Sequence, residues 1–316
     1  MIKPATWRVC VSLVAAGGWH CGSSSKAHDA GVAQAAQGKG SSQAAANGDG
    51  SPKIPQAPES CPTLETGTIT VMGQAVSLWV GTPAPGSGGP VLFYWHGTGG
   101  SASEAAIFMA TEITDVMSEG GIAASFDTSL KTGVNTGNGV WYTDDFKMAD
   151  EILACAMQQL HIDPRRIYTA GCSAGGLQVS AMVYARSSYL AAAMPNSGGT
   201  LFAGAFPFDS AHVPSLITTH GAPGTDVYLI DFSQTSATED KDIASHASSS
   251  TPPGGYVVDC NHGGGHCAAP ADDIAAQWQF CKDHPFGVSP EPYAAGLPSS
   301  FPAYCTIIRM GLPSAE

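Results

Sequence analysis

The sequence predicts an α/β protein: a mostly parallel sheet covered by helices on both faces. Three observations predict it. Short, continuously apolar runs such as Pro90 to Trp95 read as strands buried on both faces. These runs alternate with longer segments of helical apolar spacing, the pattern of parallel strands joined by crossover helices. A glycine-rich turn, Gly171-Cys172-Ser173-Ala174-Gly175, directly follows one buried run and opens a helix. Sheets of this kind gather their chemistry at the carboxyl ends of the strands.

In chain order, residues 1–21 read as an export signal. Lys3 and Arg8 supply positive charge, and Val9 to Ala16 form an apolar stretch too short to span a bilayer. Two ends are open: cleavage after Val14-Ala15-Ala16, or a lipidated Cys21, whose following Gly22 and serines resemble a bacterial lipoprotein. Residues 22–59 are rich in Gly, Ala, Ser and Gln and poor in large apolar side chains, which predicts a flexible tether. The folded domain is expected over 60–316. No later apolar run is long enough for a transmembrane helix.

Within the domain, strands at 68–72 and 75–80 flank Gly73-Gln74 as an opening hairpin. The buried strand 90–95 leads to a helix from Ser103 to about Glu119, then to a strand at 121–126. A polar loop ends in Trp141-Tyr142, and Asp144 or Asp145 caps a helix to about Leu160 with Phe146, Met148, Ile152, Leu153 and Met157 on its apolar positions. Ile167 to Ala170 is a strand, and the helix after Gly175 carries Leu177, Val179, Met182 and Val183. Strands follow at 191–194, 214–218 and 256–258. A last helix spans about 270–282, with Ile274, Trp278 and Phe280 inward.

Composition narrows the function classes. Of 316 residues, 43% are hydrophobic and only 12% charged, with 38 Gly and 22 Pro, the profile of a loop-rich extracellular chain. The net charge of −13 argues against nucleic acid as a partner and weakly against anionic membrane surfaces. Setting aside Cys10 and Cys21, seven cysteines remain, so in an oxidising compartment at least one stays free. Cys281 with Cys305 is a plausible bridge.

Gly171 to Gly175 fits G-x-S-x-G, and its place between strand and helix is that of the nucleophile elbow of α/β-hydrolases. Small neighbours let the backbone bend so that the Ser173 hydroxyl protrudes. A hydroxyl is protonated at neutral pH and needs a base. His266, on the glycine-rich loop after the last strand, is the expected base, with His262 as the alternative. The acid should lie between them in the chain: Asp226, or Asp231 if the loop register differs. The amides of Thr98, in the loop after Trp95, and of Ala174 are the expected oxyanion donors, with His96 an anchor. Zinc on Cys260, His262, His266 and Cys267 is a competing reading, disfavoured because metal sites prefer rigid presentation. No metal and no cofactor are expected.

On these residues the chain from about 65 to 284 resembles the secreted esterases that include feruloyl esterases, acetyl xylan esterases and polyhydroxybutyrate depolymerases. The matching marks are His96-Gly97, Asp163-Pro164-Arg165-Arg166-Ile167-Tyr168 before the elbow, His220-Gly221 with Asp226 beyond, and Gly265-His266 with Pro270 following. Cys172 precedes the serine and Cys267 follows the histidine, similar to the arrangement of tannase-type enzymes. The resemblance implies an α/β-hydrolase fold, a Cys172–Cys267 disulfide beside the site, and hydrolysis of small or polymeric carboxylic esters; tannase-type enzymes carry a large lid domain, but no inserted segment here is long enough for one. The export signal at 1–21 and the Cys21 alternative imply secretion or attachment to the outer surface. Trp141 and Tyr142 are a possible substrate platform, as is Trp95, for which core packing is at least as good a reading. A serine peptidase of the same fold and a non-catalytic surface-binding protein stay open as alternatives.

Overall fold

The computed structural model describes residues 50–82, 86, 88–131, 141–249 and 256–309. The expected export signal, the Cys21 alternative and most of the expected tether lie outside the described residues. Positions 51–59, expected as tether, are half-buried or exposed and touch the domain at two points. The Lys53 amide donates to the Ser188 carbonyl at 2.8 Å, and Ile54 lies against the core. One large apolar side chain anchors a segment whose average composition hides it.

Strands β1 (Gly67–Val71) and β2 (Gln74–Val80) form the opening hairpin. Its turn is Met72-Gly73, one residue earlier than expected. Both residues take positive φ, 50° and 81°, which suits the twist of a tight hairpin, and Val71 pairs with Gln74. Six parallel strands follow: β3 (Gly89–Trp95), β4 (Ile122–Phe126), β5 (Ile162–Cys172), β6 (Ala192–Asn196), β7 (Ser215–His220) and β8 (Val257–Asn261). β9 (Cys305–Ile307) closes the far edge antiparallel to β8. The order is β1-β2-β4-β3-β5-β6-β7-β8-β9, with β2 antiparallel to β4.

Both faces are covered, as the apolar runs require. Along β3, Val91, Phe93 and Trp95 enter one core while Leu92 and Tyr94 enter the other. The first core takes Phe146 and Ile152 of α3 (Phe146–Gln159), Val179 and Met182 of α4 (Ala174–Ala185) and Ile243 of α5 (Phe232–Ser249). The second takes Ala105 of α1 (Glu104–Phe108), Ile113 and Val116 of α2 (Ala110–Ser118), and Trp278 and Phe280 of α6 (Ala271–Asp283). The single helix expected from Ser103 is two, broken at Met109, whose φ of −121° is not helical. Among the described residues no helix is long and apolar enough to cross a membrane.

Three disulfides join described residues: Cys61–Cys155, Cys172–Cys267 and Cys260–Cys305. Such bonds fit a chain folded in an oxidising compartment. The expected pairing of Cys281 with Cys305 is wrong. β9 lies beside β8 with Cys305 opposite Cys260, so those two pair, and Cys281 is a buried free thiol in the second core.

Helix α5 was not foreseen, because it buries acids and hydroxyls where an apolar stripe would be sought. Glu239, Asp240 and Asp242 are buried; Ser180 donates to Glu239 at 2.7 Å, Thr218 to Asp240 at 3.0 Å and Tyr184 to Asp242 at 2.9 Å. Burial, with help from Asp242, pushes the Glu239 carboxyl up to about 8 against the hydrogen bond from Ser180. Burial likewise raises Glu112 and Asp273 to about 7. These acids hold their protons in the folded chain and release them on unfolding once the pH passes the ordinary carboxyl range. Their stabilisation is complete below about pH 4 and is lost as the pH rises through about 7 to 8. Thermal melting is therefore expected to show a midpoint that falls between about pH 5 and 9. Glu239→Gln, which carries no ionisable proton, should flatten the upper part of that fall.

Candidate active site

The site begins with a tight reversal of the chain. β5 ends at Cys172 and α4 starts at Ala174, so Ser173 alone makes the turn, with φ 59° and ψ −121°. A non-glycine residue takes that conformation only when its surroundings hold it. Here the Ser173 amide donates to the Asn196 carbonyl at 3.1 Å and its carbonyl accepts from Leu177 at 2.8 Å. The start of α4 presses on the end of β3. A Cβ on Gly175 would run into the Trp95 carbonyl, so only glycine lets helix and strand approach this closely.

Two loops bring partners to Ser173. Its Oγ lies 2.9 Å from His266 Nε2, and His266 Nδ1 lies 2.8 Å from Asp226 Oδ1. An ionised carboxylate only accepts, so Nδ1 carries the proton there and Nε2 accepts from Ser173. Asp226 is fully buried, and its Oδ2 accepts from the Ser197 hydroxyl at 2.8 Å and the Gly221 amide at 3.0 Å. Burial opposes the charge, but hydrogen bonds from His266, Gly221 and Ser197 outweigh it and hold the carboxyl below its ordinary range. The two loops are joined directly, since Thr225 Oγ1 donates to the Gly264 carbonyl at 3.0 Å. The Cys172–Cys267 disulfide ties the His266 loop to the elbow.

The alternatives considered from sequence fall elsewhere. Asp231 accepts from the Gly224 amide at 3.0 Å and from the Ser233 hydroxyl at 2.6 Å, at the start of α5. His262 Nδ1 accepts from the Gly264 amide at 3.0 Å and shapes the loop, and burial lowers its pKa. The four residues of the zinc reading are separated by other bonds: Cys260 pairs with Cys305, Cys267 with Cys172, and His266 lies between Ser173 and Asp226.

The loop after β3 flanks the serine. A Cβ on Gly97 would lie 3.5 Å from Ser173 Cβ. Glu104 Oε1 accepts from the Gly97 amide at 3.0 Å and from the Tyr94 hydroxyl at 2.9 Å. The fully buried His96 sets its ring nitrogens 2.8 and 3.1 Å from the Gly97 and Asp127 carbonyls, which suits an anchor. Thr98 follows Gly97, and Ala174 is the first residue of α4, where helix amides have no intrahelical acceptor.

Trp141 is not a substrate platform. It is 2% exposed, meets Trp95 edge-on at 5.2 Å, and donates its indole N–H to the His96 carbonyl at 2.9 Å. A buried indole needs such an acceptor, and this one braces the loop from below. Trp95 is fully buried as well. The ring of the half-buried Tyr142 is faced by the Lys131 ammonium at 4.2 Å.

The exposed aromatic beside His266 is instead Tyr228. It stacks on His266 at 5.9 Å with planes 12° apart and is 59% exposed, while the buried Phe232 meets the same imidazole at 4.7 Å. Val227 and Leu229, 49% and 58% exposed, flank it on a turn closed by the Val227–Asp231 bridge. Sequence reading missed this group and Ser197. The apolar run Val227-Tyr228-Leu229-Ile230 inside a polar loop was the available signal for the first.

No protein-family model matches the chain, and neither does any curated protein. Solved structures share its fold. Native pOPH is similar with a TM-score of 0.58 at 14% identity, over 78% of this chain and 96% of that one. Native sOPH is similar with a TM-score of 0.56 at 18% identity, over 79% and 96%. A complex of a pOPH variant with DMSO gives 0.60 at 14% identity, over 81% and 96%. At such identities the likeness concerns the fold alone, and it bears out the α/β-hydrolase architecture.

The close approach at the elbow has a measurable cost. Gly175→Ala sets a methyl against backbone that has nowhere to move, and urea unfolding should show a loss of about 3 kcal/mol, the upper end for overpacking. Gly265→Ala is the control, because a Cβ there meets nothing within 4 Å. Its stability should change by under about 1 kcal/mol.

Proposed function

We propose that the protein hydrolyses carboxylic esters through an acyl-enzyme on Ser173. The observation that carries this reading is the unbroken hydrogen-bond chain from Ser173 through His266 to the buried Asp226. His266 Nε2 takes the hydroxyl proton as Ser173 Oγ attacks the ester carbonyl carbon. The carbonyl oxygen becomes an oxyanion and accepts from the amides of Thr98 and Ala174. Asp226 stabilises the imidazolium and keeps the ring in the productive tautomer. His266 then gives its proton to the departing alkoxide, and the alcohol leaves an ester on Ser173. Water enters, His266 takes one of its protons, and the hydroxide attacks the acyl carbon. Collapse of that intermediate returns the proton to Ser173 Oγ and releases the acid.

The substrates of this reading are uncharged esters, feruloyl or related plant-wall esters and polyhydroxyalkanoate-type polyesters. Support comes from the exposed Val227, Tyr228 and Leu229 beside the base and from a net charge of −13, which repels anionic substrates. The enzyme acts outside the cytoplasm, released after cleavage of its signal or anchored through Cys21. The three disulfides and the charge pattern of residues 1–21 support that placement.

Hydrolysis of p-nitrophenyl butyrate, methyl ferulate and polyhydroxybutyrate film, with and without EDTA, tests the reading. The wild-type protein is expected to cleave at least one of them regardless of EDTA, and Ser173→Ala to cleave none. Asp226→Asn should lower kcat by about 10⁴-fold, whereas Asp231→Asn should leave it within about twofold. Activity that survives in Ser173→Ala would refute the assignment.

A further inference from the structure

We propose that Ser197 is a positioning residue of this site, its hydroxyl clamping Asp226 to the loop that carries His266. The inference rests on the serine-hydrolase reading. Ser197 directly follows β6, is fully buried and has φ 45°, so its backbone is held in a conformation that L side chains disfavour. Its amide donates to the Thr219 carbonyl near the end of β7 at 2.8 Å, which fixes the residue between two strand ends.

The hydroxyl has three polar neighbours. Asp226 Oδ2 lies at 2.8 Å, Asn196 Oδ1 at 3.3 Å, and the Cys267 amide, a donor, at 2.9 Å. A hydroxyl owns one proton, and the nearer, charged acceptor takes it. A lone pair is left to accept from Cys267. One oxygen atom therefore joins the acid of the Ser173–His266–Asp226 chain to the residue next to its base. Asp226 Oδ1 is on His266, and the Gly221 amide is the other donor to Oδ2. Ser197 thus sets the direction in which Asp226 faces the imidazole, and the height at which the loop presents it.

Deleting the hydroxyl leaves Oδ2 and the Cys267 amide each short of a buried partner. The other titratable groups that act on Asp226 are His220 at the end of β7, paired with Asp259 at 2.8 Å, and His262 after β8. Neither touches Ser197 in the contacts that hold it.

Ser197→Ala and Ser197→Gly separate hydroxyl from backbone, because both lack the hydroxyl and only glycine relieves the positive φ. With p-nitrophenyl butyrate, both are expected to lose kcat by about 10- to 100-fold, the worth of one charge-assisted hydrogen bond, with KM within about twofold. Hydrogen exchange of the Cys267 amide should quicken in both variants, a readout that needs no turnover. Unchanged kcat, a rise in KM that accounts for the loss, or recovery of activity in Ser197→Gly alone would overturn the proposal. Unaltered exchange at Cys267 would do so too. If the wild-type protein cleaves no ester, the functional reading fails while the exchange measurement still decides whether the clamp exists.

Discussion

The contact between the start of α4 and the end of β3 governs the rest of the site. At Gly175 the helix backbone lies directly on the Trp95 carbonyl, leaving no room for a side chain. That closeness is what allows a chain to leave β5 and enter α4 through the single residue Ser173. Looser packing would need a longer turn, and the hydroxyl would be carried on a loop with its own freedom. The strain at Ser173 is thus balanced by packing along β3, β5 and β6, all fixed by the register of the sheet. The same contact sets the position of the loop after β3, which Trp141 and Glu104 hold from two sides.

Much of this was legible in the sequence because it follows from local rules. Runs buried on both faces announced β3 and β5, and a glycine-rich turn between strand and helix announced the elbow. What failed was of another kind. Helix α5 fills its interior positions with Glu239, Asp240 and Thr235 among others, so apolar periodicity passed over it. Its side chains are satisfied by residues far away in the chain, such as Ser180 and Thr218, which no window of sequence contains. The Cys260–Cys305 pairing depended on β9, a three-residue strand with almost no signal of its own. Trp141 was misread because an aromatic beside a polar loop looks available until its acceptor, the His96 carbonyl, is in view.

The electrostatic division of the molecule follows from burial and partners alone. Asp226 and Glu239 are both fully buried, yet one carboxyl lies below its ordinary range and the other well above it. Asp226 receives two side-chain donors and a backbone amide, whereas one Glu239 oxygen has only the Ser180 hydroxyl and the other has no partner. The donors around each carboxyl, the charge of its neighbour and the depth of its burial together decide which acid is a charge and which is a neutral packing group.

The Cys172–Cys267 bond spans 95 positions, and Ser173, Ser197, Asp226 and His266 all fall between its ends. The whole hydrogen-bonded set therefore sits inside one covalent ring, closed beside its first and last members. A nick at the exposed turn around Tyr228 would open the main chain but not part the two ends of the set, since the ring would remain joined at the sulfurs. Insertions at that turn would likewise lengthen the ring without moving its closure. The segment that borders His266 is in this way free to vary in length, while the distance between Ser173 and His266 is held by a bond outside the main chain.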